Sequence, residues 1–217
     1  MNFRTNYREE RTFNINEWEP KTELGREVKD HRTNSLEEIF RSGRHIEEPE
    51  IIDALFPDLA FEVIEIISVQ RMTKNNRKQK YRATAVVGDR NGHVGVGAAK
   101  DIEVKAAISS AITIAKMHMT PVVLGCGSWQ CMCGTKHSLP LTVHGKCGSV
   151  EVTLKPAPRG LGIVASKPVK KMLELAGIKD IWTFSRGRTR AKYNVLIATQ
   201  RALAQLNGMK NIAEFEK

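Results

Sequence analysis

Three β-rich runs come before the first long helix, and that order limits the chain more than any single motif does. "FEVIEIISVQ" (61–70) and "YRATAVVG" (81–88) are rich in β-branched and aromatic residues, and in the second Tyr81, Ala83, Ala85 and Val87 alternate against Arg82 and Thr84. "HVGVGA" (93–98) reads as a third, shorter strand. Only then do Ile108, Ala111, Ile112 and Ala115 mark the buried stripe of a helix. A doubly wound nucleotide fold needs a helix between successive parallel strands. The order strand, strand, strand, helix therefore predicts an antiparallel α+β unit.

This order bears on "GDRNGHVGVGAAKD" (88–101), which has the look of a phosphate cradle. Gly92 and Gly97 have Walker spacing, but Ala98 and Ala99 stand where Lys and a hydroxyl residue are required. Gly95 and Gly97 lack the third glycine of a dinucleotide fingerprint, since Lys100 occupies it. What remains is a tight turn holding Asn91 and His93, a glycine-rich strand that lets something approach closely, and a helix start with Lys100 and Lys105 at its positive end. Those parts suit an RNA backbone, and close packing of strand and helix accounts for the glycines equally well.

Composition points to the same partner. The chain has 217 residues, with 34 Lys+Arg against 24 Asp+Glu for a net charge of +10, and a pI near 9.6. That balance favours a polyanion. No apolar run reaches the roughly 18 residues of a membrane span, and "MNFRTNYREERTFN" has no apolar signal-peptide core. A cytoplasmic protein with no membrane partner and no homo-oligomer is expected.

The segment to about Thr33 is polar and reads as an extended arm with no core of its own. In "SLEEIF", Ser35 and Glu38 have capping-box spacing, and Pro49 starts a second short helix. "RMTKNNRKQK" then forms a basic hairpin tip around an Asn75–Asn76 turn, with Arg71, Lys74, Arg77, Lys78, Lys80 and Arg82 as candidate RNA contacts. After residue 138, "LPLTVHG" and "SVEVTLKP" alternate around the tight "HGKCGS", a helix carries Val169, Met172, Leu173 and Ala176 before Gly177, and a last helix ends before Gly208. Arg159 sits in a Pro/Gly-shaped loop, Lys167 opens a helix, and Arg186, Arg188, Arg190 and Lys192 crowd one loop. The predicted organisation is an extension (1–59), a first α+β domain (60–124), a connector (125–137), a second α+β domain (138–208) and a tail (209–217).

Chemistry concentrates in "CGSWQCMCGTKH". Cys126, Cys131, Cys133 and His137 offer three thiolates and an imidazole to a tetrahedral zinc, although the single residue between Cys131 and Cys133 is tight. One structural zinc ion and free buried thiols both fit the sequence. Cys147 reads as a packed small residue. No nucleophile elbow, HExxH or comparable catalytic set is present, and Trp129 and Trp182 do not form a stacking platform in the sequence. An enzyme is not expected.

"GDRNGHVGVGAAKDIEVKAAI", "KCGSVEVTLKPAPRGLGIVAS" and "LELAGIKDIWT" together resemble the universal small-subunit ribosomal protein five family, whose older eukaryotic name is S-two. "WEPKTELGREV" and the two short helices resemble its archaeal and eukaryotic branch, and "CGSWQCMCG" followed by "HSLP" looks most like archaeal members. The resemblance implies a double-stranded-RNA-binding-like β-β-β-α domain, a second α+β domain and an N-terminal arm. It also implies a structural constituent of the small ribosomal subunit that binds ribosomal RNA near the messenger RNA entry region and supports assembly and decoding accuracy. The implied neighbours are small-subunit proteins two, three, four and eight, with the Arg71–Arg82 hairpin reaching toward the head. A stand-alone duplex-RNA binder and a small-molecule kinase are the competing readings.

Overall fold

The computed structural model describes residues 18–209 apart from Asn34 and Met132. Three short helices, α1 (Glu23–Lys29), α2 (Leu36–Arg41) and α3 (Pro49–Leu55), lead into β1 (Ala60–Met72), β2 (Arg77–Gly88), β3 (His93–Asp101), α4 (Val104–Met117) and β4 (Met119–Pro121). The second half is β5 (Val143–Cys147), β6 (Val150–Pro156), β7 (Ile163–Val164), α5 (Lys167–Leu175), β8 (Ile181–Arg186) and α6 (Lys192–Ala204), closed by a 3-10 turn (Gln205–Gly208). The strands form two four-stranded sheets, ordered β1-β2-β3-β4 and β5-β6-β8-β7. All pairings are antiparallel except β7 with β8. No helix among the described residues is long and apolar enough to cross a membrane.

The α+β class and the strand, strand, strand, helix order hold, and the short pieces β4 and β7 add to them. Neither has a periodic signal of its own. β4 exists because α4 returns the chain to the free edge of β3, where Val94 pairs with Thr120. The arm is not extended over its described part. Thr22 caps α1 by accepting from the Gly25 amide at 3.1 Å, and Trp18, Leu24 and Val28 are buried. Glu48 ties this segment down, its Oε1 accepting from the amides of Lys21 (2.9 Å) and Thr22 (2.5 Å). Residues 1–17 of the expected arm lie outside the described residues. Ser35 stands at the start of α2 without a side-chain capping bond, so the capping box is not formed.

The layers run helices, sheet, helices, sheet. Ala83, Ala85 and Val87 face a core with Ala107, Ile108, Ala111 and the N-terminal helices. Val86, Val94 and Val96 face the other way, into a core with Leu173, Leu175, Leu196 and Leu203. The alternation expected in β2 therefore stops at Ala83: Thr84 and Val86 are buried too, because α5 and α6 cover the face that water would otherwise take. Each valine or leucine withdrawn from water there contributes about 1.5–3 kcal/mol. Ion pairs across the same junction, Lys171 with Glu62 and Lys192 with Glu65, are half-exposed and contribute at most about 1 kcal/mol each. Apolar burial joins the halves, and the ion pairs fix their register. The second sheet keeps its outer face open, with Trp182, Phe184 and Val164 exposed on it.

Of the two uses the sequence leaves open for the glycines of 88–101, the structure displays close packing against the protein's own backbone. A Cβ on Gly95 or Gly97 would run into the carbonyl oxygens of Ala115 and Ala111 on α4, and one on Gly88 would run into Leu175 at the end of α5. Lys100 also lies on β3, since α4 begins only at Val104. Gly97→Ala is expected to force α4 off the sheet and destabilise the chain by on the order of 3 kcal/mol, read as a lower urea midpoint at unchanged slope.

Candidate nucleic-acid interface and metal centre

β1 and β2 outrun the rest of their sheet. The last β2–β3 pair is Tyr81 with Asp101, while β1 and β2 continue through Val69–Lys80, Gln70–Gln79, Arg71–Lys78 and Met72–Arg77. The ribbon beyond the sheet is about 14 Å long at ~3.4 Å per residue. It is exposed on both faces, and the tip closes where the Thr73 amide donates to the Asn76 carbonyl at 2.9 Å. Such a ribbon carries no core, so its side chains serve something outside it.

Register sorts the basic residues by face. A β-bulge between Val63 and Glu65 resets β1, after which Ile67 opposes Arg82, Val69 opposes Lys80 and Arg71 opposes Lys78. Side chains alternate from pair to pair. Arg71, Lys78, Lys80 and Arg82 therefore share the face of Val86, the side covered by α5 and α6, and Lys100, opposite Arg82 on β3, joins them. Arg77 points to the other side, and Lys74 is in the turn.

The start of α6 meets this face. Arg82 lies over the Tyr193 ring at 4.6 Å, and Lys192 reaches Glu65 at 2.7 Å. The loop with Arg186, Arg188 and Arg190, all exposed, is thereby held beside the hairpin base. Lys192 already has a partner within the chain. Lys167, exposed at the first turn of α5, lies one turn beyond Lys171 and its partner Glu62, on the same side of the sheet.

Other candidates fall elsewhere. Asn91 and His93 sit beyond the Gly88 end of β2, roughly 37 Å from the hairpin end of that strand at ~3.4 Å per residue. There they line a recess with Phe40 and Val122. His93 is occupied internally: Nδ1 is 2.6 Å from Asp89 Oδ2, and the ring packs on Phe56 with centroids 4.8 Å apart. Burial pushes the Asp89 carboxyl up, but His93 and the amides of Asn91 and His93 outweigh it and hold it below the usual aspartate value. Lys105 is exposed at the start of α4, behind the opposite face. Arg159 belongs to the other end of the second sheet, where Pro156 pairs with Ile181, about 17 Å along β8 from Arg186 at ~3.4 Å per residue.

At that end the connector folds into a cluster. The donor atoms of Cys126, Cys131, Cys133 and His137 all lie within 4.8 Å of one another. Cys126 and Cys133 Sγ are 3.5 Å apart, and His137 Nε2 is 3.3 Å from Cys126 Sγ and 3.8 Å from Cys131 Sγ. Tetrahedral zinc with thiolate and imidazole ligands has donor–donor edges of about 3.5–3.8 Å, so the set fits such an ion. A tetrahedral ion held by this set would take all four ligands from the protein, leaving no position for catalysis. The tight Cys131–Cys133 spacing is accommodated with both thiols turned to one point. The strip is anchored by a Gly125–Ser138 bridge and by the Gly127 amide, which donates to the Leu139 carbonyl at 3.0 Å.

Nothing in the spacing of the ligands points to Asp180, 43 residues away, whose Oδ2 lies 2.9 Å from His137 Nδ1. Carboxylate behind imidazole is the usual second layer of a metal site, since it turns the other ring nitrogen toward the ion. Burial raises the Asp180 carboxyl, but the Gly162 amide, His137 and the Gly160 amide outweigh it and leave it below its ordinary range. Cys147 is half-buried against the second core, as a packed residue.

Without a metal the thiols differ. Thr135 donates from its hydroxyl to Cys133 Sγ at 3.1 Å and, with its amide, lowers the Cys133 thiol to about 6. Burial first, and the neighbouring Cys133 next, push Cys126 up to about 11. Between about pH 6 and about pH 11 Cys133 is then mostly thiolate while Cys126 stays mostly protonated. Metal-free protein treated with iodoacetamide at pH 7 is expected to alkylate Cys133 first and Cys126 last, as read by peptide mass mapping.

Comparison with known proteins agrees with this architecture. Residues 59–123 match the family model described as Ribosomal protein S5, N-terminal domain, and residues 145–215 match Ribosomal protein S5, C-terminal domain. The chain is 51% identical over 191 residues to small ribosomal subunit protein uS5 of Methanoregula boonei, covering 88% of this chain and 93% of that one. It is 51% identical over 195 residues to the protein of that name from Methanocaldococcus jannaschii, with 90% of each chain covered. For Aeropyrum pernix the identity is 49% over 196 residues, again with 90% of each chain covered.

Proposed function

The chain belongs to the ribosomal protein S5 family, and from that premise we propose that it is a structural, non-enzymatic constituent of the small subunit of the cytoplasmic ribosome, where it binds ribosomal RNA. The observation that carries the proposal is the cationic face that register creates. Arg71, Lys78, Lys80, Arg82 and Lys100 lie on one side of the first sheet, and Arg186, Arg188 and Arg190 are held beside its base. Cations spread over three strands and a loop match the phosphate spacing of a folded RNA better than a nucleotide pocket would, and they read shape more than base identity. Lys74 at the tip, Lys167, Lys105 and Arg159 extend the interface to other parts of the subunit. Lys192, paired with Glu65, acts chiefly as the anchor of the arginine loop.

In this reading the hairpin reaches toward the head of the subunit beside the messenger RNA entry region and supports assembly and decoding accuracy. Small-subunit proteins two, three, four and eight are the proposed neighbours. The cluster of Cys126, Cys131, Cys133 and His137 holds one structural zinc ion, supported by its donor distances and by Asp180 behind His137.

Sedimentation of a cell lysate tests the placement. The protein is expected to comigrate with small subunits and to stay with them through a high-salt wash, whereas a loose electrostatic binder would be released. The variant Arg71→Gln/Lys78→Gln/Lys80→Gln is expected to weaken binding of the purified protein to ribosomal RNA. Its plot of log affinity against log salt should flatten by a slope of about 0.7–0.9 for each phosphate that is no longer neutralised. Elemental analysis of the purified chain is expected to give one zinc, and Cys131→Ser is expected to abolish both that zinc and part of the thermal stability.

A further inference from the structure

Asp180 holds two structures at once. Oδ2 faces His137 Nδ1, while Oδ1 accepts from the amides of Gly160 at 3.0 Å and Gly162 at 2.8 Å. Those amides converge because both residues adopt positive φ, +91° at Gly160 and +77° at Gly162, a conformation other residues resist. Main-chain bonds close the unit. The His137 carbonyl accepts from the amides of Lys179 (3.0 Å) and Asp180 (3.1 Å), and the Gly162 carbonyl accepts from the Ile181 amide at 3.2 Å. The Asp180 side chain is 7% exposed, yet Arg159, in the turn it organises, is open to solvent.

A metal on Nε2 requires the imidazole proton to be on Nδ1, where Asp180 accepts it. A bound ion would strengthen that donor and hold the carboxylate, keeping its second oxygen aimed at the turn. Without an ion the pair of His137 and Asp180 would still form, but nothing would hold the ring from its Nε2 side, so the carboxylate and the turn bonded to it would be less tightly fixed. We propose that Asp180 is the positioning residue of the metal centre and that, through it, metal occupancy orders the 158–162 turn that presents Arg159 to an RNA phosphate. The proposal rests on the metal reading given above.

The test uses the full-length chain, zinc-loaded and then stripped with a chelator, with amide exchange followed residue by residue. Stripping is expected to speed exchange at Gly160 and Gly162 by about tenfold or more while the α6 amides hold their protection. Asp180→Asn places an amide N–H against Nδ1, which forces the proton onto Nε2, and zinc affinity is expected to fall about 10- to 100-fold. A chain that binds zinc but shows the same exchange at Gly160 and Gly162 with and without it overturns the proposal and leaves the metal reading standing. So does an Asp180→Asn variant that binds zinc as tightly as the parent. A chain that binds no zinc overturns both. If stripping unfolds the whole chain, exchange is compared between parent and Asp180→Asn at saturating zinc, and equal rates at the two glycines overturn the proposal.

Discussion

The contact between the 88–92 turn and the end of α5 sets the geometry of everything else. The Arg90 amide donates to the Leu175 carbonyl at 2.8 Å and the Gly92 amide to the Ala176 carbonyl at 3.1 Å. These are orphan carbonyls of a helix terminus, groups that need partners when buried. The approach is closed from both sides by missing side chains, since Gly88 faces Leu175 and Gly177, at φ +83°, faces the Arg90 carbonyl. Once that junction is made, one face of the first sheet is committed to α5 and α6, and the two halves share a core. The hairpin cations and the arginine loop can then act as one surface.

The cluster of Cys126, Cys131, Cys133 and His137 lies beside this junction, since Asp180 follows Gly177 by three residues and Asn91 and Lys136 line one recess. A connector with little apolar content has no core to fold around, so its shape depends on convergent ligands and on backbone bonds to its neighbours. The cluster laces the connector to residues 160–162 and 178–181 through Asp180 and the His137 carbonyl. Adjoining parts of this region are thus held by different chemistry, backbone bonds and apolar packing at the junction and a polar, charge-bearing network beside it.

How much of this was legible in the sequence follows from the range over which each signal acts. Strand order, α4 and the basic hairpin are local patterns, and alternation and spacing carried them. The cysteines and His137 are close enough in sequence for their spacing to suggest one site, although free thiols fitted equally well. Asp180 sits inside an ordinary strand approach, "IKDIWTF", with nothing local to mark it. Thr84 reads as solvent-facing by alternation and is buried only because a second layer arrives from residues 167–204. The division of Arg77 from Lys78 and Lys80 depends on register and on which face the other half covers. The glycines of 88–101 were ambiguous for a plain reason: a missing side chain serves a ligand and a neighbouring helix alike, and only the helix positions decide.

The proposed RNA interface is one cationic face, from the hairpin to the start of α6. The most direct test is lysine acylation on purified small subunits, quantified at Lys78, Lys80 and Lys100 before and after ribonuclease digestion and compared with the free chain. Protection of these lysines in the subunit, abolished by digestion of the RNA, is the predicted result. Reactivity equal to that of the free chain, or protection that survives complete removal of RNA, would contradict the assignment.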